Sequence, residues 1–186
     1  MLRITPATTD DIPTIRALAH ATWPDTFGTI LSPEQIAYML DWMYSPETLR
    51  IQMDHGGHRF LLATIDEEGG HTTPVGYASY ELMYHGEPTT KLHKLYVHPS
   101  RQGYGVGHAL MEAVRIAAES AGQRSLTLNV NRHNRAIQFY ERHDFVAVGS
   151  EDIDIGRGFY MNDIIMARPL RGTMDAPDVP TPSAIV

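Results

Sequence analysis

Between Lys91 and Ala121 the chain passes from a short β-rich stretch, Leu92–Val97, through Arg101-Gln102-Gly103-Tyr104-Gly105-Val106-Gly107 into a segment of helical apolar spacing. A strand, a glycine-rich turn and a helix in that order leave few folds open. Pro99 ends the strand, because proline cannot donate to a ladder. Glycines at alternate positions let the backbone turn tightly and bring bare N–H groups close to a ligand. Leu110, Ala113, Val114, Ala117 and Ala121 share one helical face, and Gly122 supplies a stop. The first helical turn has unpaired N–H groups and the positive end of the helix dipole, so a loop feeding it reads as a phosphate or pyrophosphate site. The alternative is a βα turn that binds nothing.

The spacing is neither the Gly-x-Gly-x-x-Gly of a dinucleotide fold nor a P-loop. Gln102-x-x-Gly105-x-Gly107 after Val97-x-Pro99 instead resembles the acetyl-CoA signature of the GNAT N-acetyltransferase superfamily. A second stretch, Asn129 to Phe145, is similar to that superfamily's other signature, with Asn134, Ala136, Phe139-Tyr140-Glu141 and Phe145. Two positions depart from the pattern. A single residue, Arg135, separates Asn134 from Ala136, and Asp144 stands where a glycine is usual before Phe145. Position 144 is expected to end a helix with positive φ, which Asp tolerates at modest cost. Gly158 to Met166 further resembles polyamine N-acetyltransferases of the PaiA kind, although strand packing would account for the same residues.

The remaining patterning fits. Leu2–Thr5 reads as a strand, and Thr9-Asp10-Asp11-Ile12-Pro13 as a helix start. That helix is expected to run out near Trp23-Pro24, leaving a loop to Gly28. Ser32-Pro33-Glu34-Gln35 is a capping box, and Ser45-Pro46-Glu47 repeats the signal for a short helix to about Met53. Arg59–Asp66 and Pro74–Tyr84 read as a hairpin, Ser125–Val130 as a strand, Asn134 to about His143 as a helix, and Phe145–Ile155 with Phe159–Met166 as a closing pair. The resemblance spans roughly residues 1–170. It implies a mixed α+β GNAT fold, with a mostly antiparallel sheet splayed between strands 4 and 5 and helices on both faces. The pantetheine arm of acetyl-CoA would insert in the splay as an added strand.

The resemblance implies direct transfer of acetyl from acetyl-CoA, as cosubstrate, to a primary amine. Backbone N–H groups of Leu95, Tyr96 and Val97 would polarise the thioester carbonyl. Gln102, Gly103, Tyr104, Gly105, Val106, Gly107 and His108 would hold the pyrophosphate, and Asn134 the pantetheine arm. Tyr140 would protonate the departing thiolate. The amine, with an ordinary pKa near 10, must also lose a proton. Asn129 stands where some protein N-terminal acetyltransferases carry Glu, and it cannot be a base. Glu81, His93 and a water chain all remain open. Trp23, Phe27, Tyr38 and Trp42 come from the segments that cover the acceptor site in this family; they form an acceptor wall, together with Glu81, or simply core.

The chain of 186 residues has 15 Lys and Arg against 22 Asp and Glu, a net charge of −7, so a basic nucleic-acid footprint is absent. No Cys is present, which excludes disulfides and thiolate chemistry. No His/Asp/Glu spacing suggests a metal. The N-terminus has no secretory h-region and no apolar run of about 18 residues occurs, so a cytoplasmic protein without membrane contact is expected. The expected partner is a small-molecule amine such as a polyamine, with homodimerisation open. A protein N-terminal or lysyl acetyltransferase and a non-catalytic CoA-binding module are the other readings. Residues 171–186, proline-rich and without periodicity, are expected to be a disordered tail.

Overall fold

The computed structural model describes residues 1–67 and 69–170; the tail expected over 171–186 lies outside them. The strands are β1 (Leu2–Pro6), β2 (His58–Asp66), β3 (Thr72–Glu81), β4 (Thr89–Val97), β5 (Ser125–Asn131), β6 (Val146–Gly156) and β7 (Phe159–Pro169). The helices are α1 (Ile12–Phe27), α2 (Pro33–Tyr44), α3 (Pro46–Asp54), α4 (Val106–Ser120) and α5 (Ile137–Glu141). The seven strands form one sheet in the order β1-β2-β3-β4-β5-β7-β6. Neighbours are antiparallel except β4 and β5, which run parallel. Among the described residues no helix is long and apolar enough to cross a membrane.

The helix starts follow their side chains. Ser32 Oγ accepts from Gln35 N (3.1 Å) and Ser45 Oγ from Thr48 N (3.0 Å), and proline follows each cap. Three sequence expectations need correction. Helix α1 does not stop at Trp23 but runs through Pro24 to Phe27. Pro24 sits in the last turn, so the bond it forfeits is the one to the carbonyl of exposed His20, while buried Trp23 and Phe27 anchor the turn to the sheet. Strand β3 ends at Glu81 rather than Tyr84, because Met83 and His85 adopt positive φ in the following turn. The helix expected from Asn134 is regular only over α5.

Two apolar layers flank the sheet. On one face α4 packs Val106, Leu110, Met111, Val114 and Ala118 over Leu92, Leu126 and Leu128. On the other, α1, α2 and α3 pack Ile15, Trp23, Leu40 and Leu49 over Phe60, Leu62 and Tyr77. Strand β4 is central to both. His93 is an extra residue between the pairs Leu92↔Tyr80 and Lys94↔Ser79, a β-bulge. The bulge resets the alternation of side chains, so Lys91 and Lys94, three residues apart, both face the α1–α3 layer.

Candidate active site

Strands β4 and β5 pair from Thr89↔Ser125 to Leu92↔Leu128 and then separate, although β4 continues to Val97 and β5 to Asn131. Past that point, every second residue of β4 turns its N–H and C=O toward a gap instead of a partner strand. A cleft of about 830 Å³ opens there. Its walls include Leu95, Tyr96, Val97, Asn129 and Val130.

The cleft runs into the glycine loop. Gly103 and Gly105 adopt φ of 82° and 81° with nothing within 4 Å of where a Cβ would stand. Gly105 is the N-cap of α4, so no side chain occupies the helix's first N–H groups. Gln102 Nε2 donates to Val97 O (3.3 Å), and its Oε1 accepts from Arg135 (3.2 Å), which also pairs with Asp25 of α1 (2.9 Å). This bridge spans the outer end of the splay. Gln102, Gly103, Gly105, Gly107 and His108 line the cleft. Tyr104 is 75% exposed and Val106 is core, and neither lines it.

From the other side come Asn134 and Tyr140, both buried and both lining the cleft. Asn134 Oδ1 accepts from Ala136 N (2.8 Å), holding the turn that leads into α5. The Tyr140 ring packs edge-on to Phe145 and Phe139. Among the described residues its hydroxyl has no hydrogen-bond partner, and burial pushes its pKa above the ordinary value, keeping the phenol a proton donor. Asp144 takes φ of 63° where the chain leaves this helix, as its replacement of a glycine implied.

The α1–α3 face of the cleft is charged. Lys91 Nζ donates to Asn129 Oδ1, and Asn129 Nδ2 donates to Glu151, so β4, β5 and β6 are tied in one chain. Burial lowers Lys91 to about 8, against the opposing pull of Glu151 and Asp163. Burial also raises the Asp163 carboxyl, helped by nearby Glu151. Lys94 is 4% exposed, and burial alone lowers it to about 8. It lines the cleft, with Nζ 5.5 Å from the Tyr44 ring centroid and 5.9 Å from that of Phe60. Trp23, Phe27, Met39 and Met43 supply apolar wall.

Three residues singled out for the acceptor wall lie elsewhere: Trp42 of α2 is 48% exposed and, like Tyr38 and Glu81, does not line the cleft. The Tyr38 hydroxyl donates to Ile155 O (2.6 Å) beneath Arg157 and Trp42, outside the cleft lining. Glu81 is also outside it and pairs with His93 Nε2 at 2.9 Å. His58, Glu81 and His93 bring potential ligand atoms within 4.8 Å of one another, an assembly made by strand register that no sequence spacing displays. Their atoms are engaged: the two rings stack at 4.0 Å and 16°, His58 Nδ1 meets Ser79 Oγ, and Lys94 sits close enough to depress both imidazoles. Burial is the first cause of that depression, to about 3 for each, so both rings are neutral. The neighbouring Lys94 ammonium disfavours a cation there. Lys91, Lys94, Glu151 and Asp163 escaped the sequence reading as site residues. The Lys residues were visible only as polar letters in a strand, and Glu151 and Asp163 only as acids in the closing pair.

A family model described as an acetyltransferase (GNAT) domain matches residues 29–160. The chain is 26% identical over 149 residues to a protein of Mycobacterium tuberculosis described as the probable N-acetyltransferase Rv2775, covering 77% of this chain and 79% of that protein. Its fold is similar to that of the PaiA N-acetyltransferase of Thermoplasma acidophilum, solved in complex with coenzyme A, with a TM-score of 0.73, 22% identity, and coverage of 91% and 99% of the two chains. It is also similar to the ribosomal-protein-S18-alanine N-acetyltransferase of Escherichia coli, with a TM-score of 0.68, 21% identity, and coverage of 97% and 100%.

Proposed function

The chain belongs to the GNAT acetyltransferase family, and we propose that it transfers acetyl from acetyl-CoA directly to the primary amine of a small molecule within a ternary complex. The observation that carries this reading is the gap between β4 and β5, which opens after Leu92↔Leu128 and leads to the glycine-capped start of α4. An extended pantetheine arm fits a gap of unpaired strand backbone, and a pyrophosphate fits free N–H groups at a helix start. Acetyl-CoA supplies the activated acetyl group.

The protein's own groups meet the three demands of the reaction. Outward N–H groups among Leu95 to Val97 can hydrogen-bond a carbonyl oxygen as negative charge grows on it. The unpartnered Tyr140 hydroxyl can donate a proton to a sulfur leaving as thiolate. The acceptor ammonium can give its proton to the Glu151 and Asp163 carboxylates, directly or through water. The raised pKa of Asp163 brings it nearer the range of an effective base. The same two carboxylates offer counter-charge to an incoming ammonium, a demand that a polyamine meets and so does any other primary amine.

The test is acetyl-CoA turnover, read as free CoA thiol, across polyamines, amino acids, aminoglycosides and peptides. Turnover with small amines and not with peptides supports the reading. Tight acetyl-CoA binding without acetyl transfer to any amine would make the protein a CoA-binding module, and peptide turnover alone would make it a protein acetyltransferase.

A further inference from the structure

We propose that the acceptor carries a carboxylate, or a comparable oxyanion, in addition to its amine, and that Lys94 is the group that recognises it. This rests on the acetyl-transfer reading of the same cleft. The starting point is a charge with no counter-charge. Lys94 is more than nine-tenths buried and lines the cleft, and among the described residues it makes no ion pair and no hydrogen bond. A buried ammonium left uncompensated is strongly destabilising.

Each neighbour that could neutralise Lys94 is committed or neutral. Glu81 of β3 is hydrogen-bonded to the neutral His93, and burial is the one influence that shifts Lys94, with no carboxylate among the described residues acting on it. His58 of β2 and His93 of β4 itself are neutral imidazoles. Tyr44 of α2 and Tyr96 of β4 are phenols whose burial pushes them above their ordinary pKa, so neither supplies a phenolate. The Tyr44 and Phe60 rings offer their faces, which soften a buried cation without neutralising it. Lys91, three residues earlier, differs in this respect: Asn129 links it to Glu151, and Glu151 and Asp163 both favour its charged form.

The cleft is thus electrically two-sided. Glu151 and Asp163 of the β6–β7 wall outnumber the one cation beside them, Lys91 of β4, while Lys94 further along β4 has no acid of its own among the described residues. A polyamine would satisfy the first wall and bring a second cation against the other. A molecule with an ammonium and a carboxylate satisfies both, and the apolar side chains of Trp23, Met39 and Met43 suit the carbon skeleton between them.

The experiment measures CoA release at saturating acetyl-CoA for wild type and Lys94→Met. Acceptors are α-, β- and γ-amino acids, each with its methyl ester and its decarboxylated amine, plus spermidine. The expected result is at least 10-fold higher kcat/KM for a carboxylate-bearing acceptor than for its ester or decarboxylated partner in the wild type. In Lys94→Met that ratio falls to near one through KM, while the KM for acetyl-CoA stays put. Lys94→Gln, neutral but polar, repeats the measurement in case Met repacks the wall. Three results would overturn the proposal: wild-type preference for spermidine or the decarboxylated amine, a ratio that survives in both variants, or an equal fall in kcat on every acceptor. Failure of the underlying reading looks different, because acetyl-CoA then neither binds in calorimetry nor turns over with any amine, and both conclusions fall together.

Discussion

Leu92 of β4 and Leu128 of β5 form the last rung at which the two parallel strands face each other. Both side chains are core on the α4 face, so the rung is a packed hinge point rather than a frayed end. Everything assigned to catalysis lies downstream of it.

The loop beyond that rung gives the first prediction. Gly105→Asp puts a side chain at φ 81° and a carboxylate at the start of α4. Nothing stands within 4 Å of the new Cβ, so the fold has room for it at the expense of a strained backbone. The anion should repel a pyrophosphate and abolish most acetyl-CoA binding. Gly105→Ala, which adds the strain without the charge, should lose much less. Calorimetry giving both variants wild-type affinity would remove the loop from the cofactor site.

Tyr140→Phe deletes a hydroxyl that has no partner among the described residues and keeps the ring contacts with Phe139 and Phe145. Stability and acetyl-CoA affinity should be almost unchanged. The kcat for the best acceptor should fall by roughly 10²–10⁴-fold, the range for a positioned proton donor. Equal kcat in the two proteins, with product release shown to be fast, would return Tyr140 to the core.

Lys94 also makes a prediction about stability. Its ammonium is disfavoured in the folded state, where it titrates at about 8 against an ordinary 10.5. Below pH 8 both folded and unfolded chains carry the charge, and the fold bears the full burden of about 3 kcal/mol. Above pH 10.5 neither carries it and the burden is gone. Lys94→Met should therefore melt higher than wild type at pH 7, with the gap closing as pH rises from 8 to 10.5. A melting difference that is flat across that window would mean the ammonium is well solvated.

Asp144 holds φ of 63° with its side chain 82% exposed and 3.8 Å from Arg168. Asp144→Gly relieves the left-handed strain and loses an ion pair of little value. Glycine's extra freedom in the unfolded chain offsets part of the gain. A net stabilisation of about 0.5 kcal/mol, roughly 1–2 °C in Tm, is expected by calorimetry. A lower Tm would show that the Arg168 contact outweighs the backbone term.

The half of the site built on backbone was legible in the letters. Gly103 and Gly105 announce positive φ, the apolar spacing after Val106 announces α4, and Asp144 before Phe145 announces a left-handed helix end. The half built on side-chain charge was not. Alternation along a strand places Lys91 and Lys94 on opposite faces. The bulge at His93 puts them on the same face, and a bulge is set by the strand register between β3 and β4, not by any letter at position 93. Helix α1 hid its last turn for a similar reason: Pro24 is a local stop signal, and the burial of Trp23 and Phe27 against Tyr96 overrides it. Glu81 and Tyr38 were reasonable candidates by sequence neighbourhood, yet each is occupied by a partner, His93 and the Ile155 carbonyl respectively.

The two apolar layers touch through a single thickness of sheet, and β4 lends alternate side chains to each. Mutations among Trp23, Met39 and Met43 can therefore remould the proposed acceptor wall while α4 and its loop keep their seating on Leu92, Leu126 and Leu128. A chain built this way can change what it modifies over generations without relearning how to hold its donor, and directed evolution of new acceptors should begin in α1 and α2.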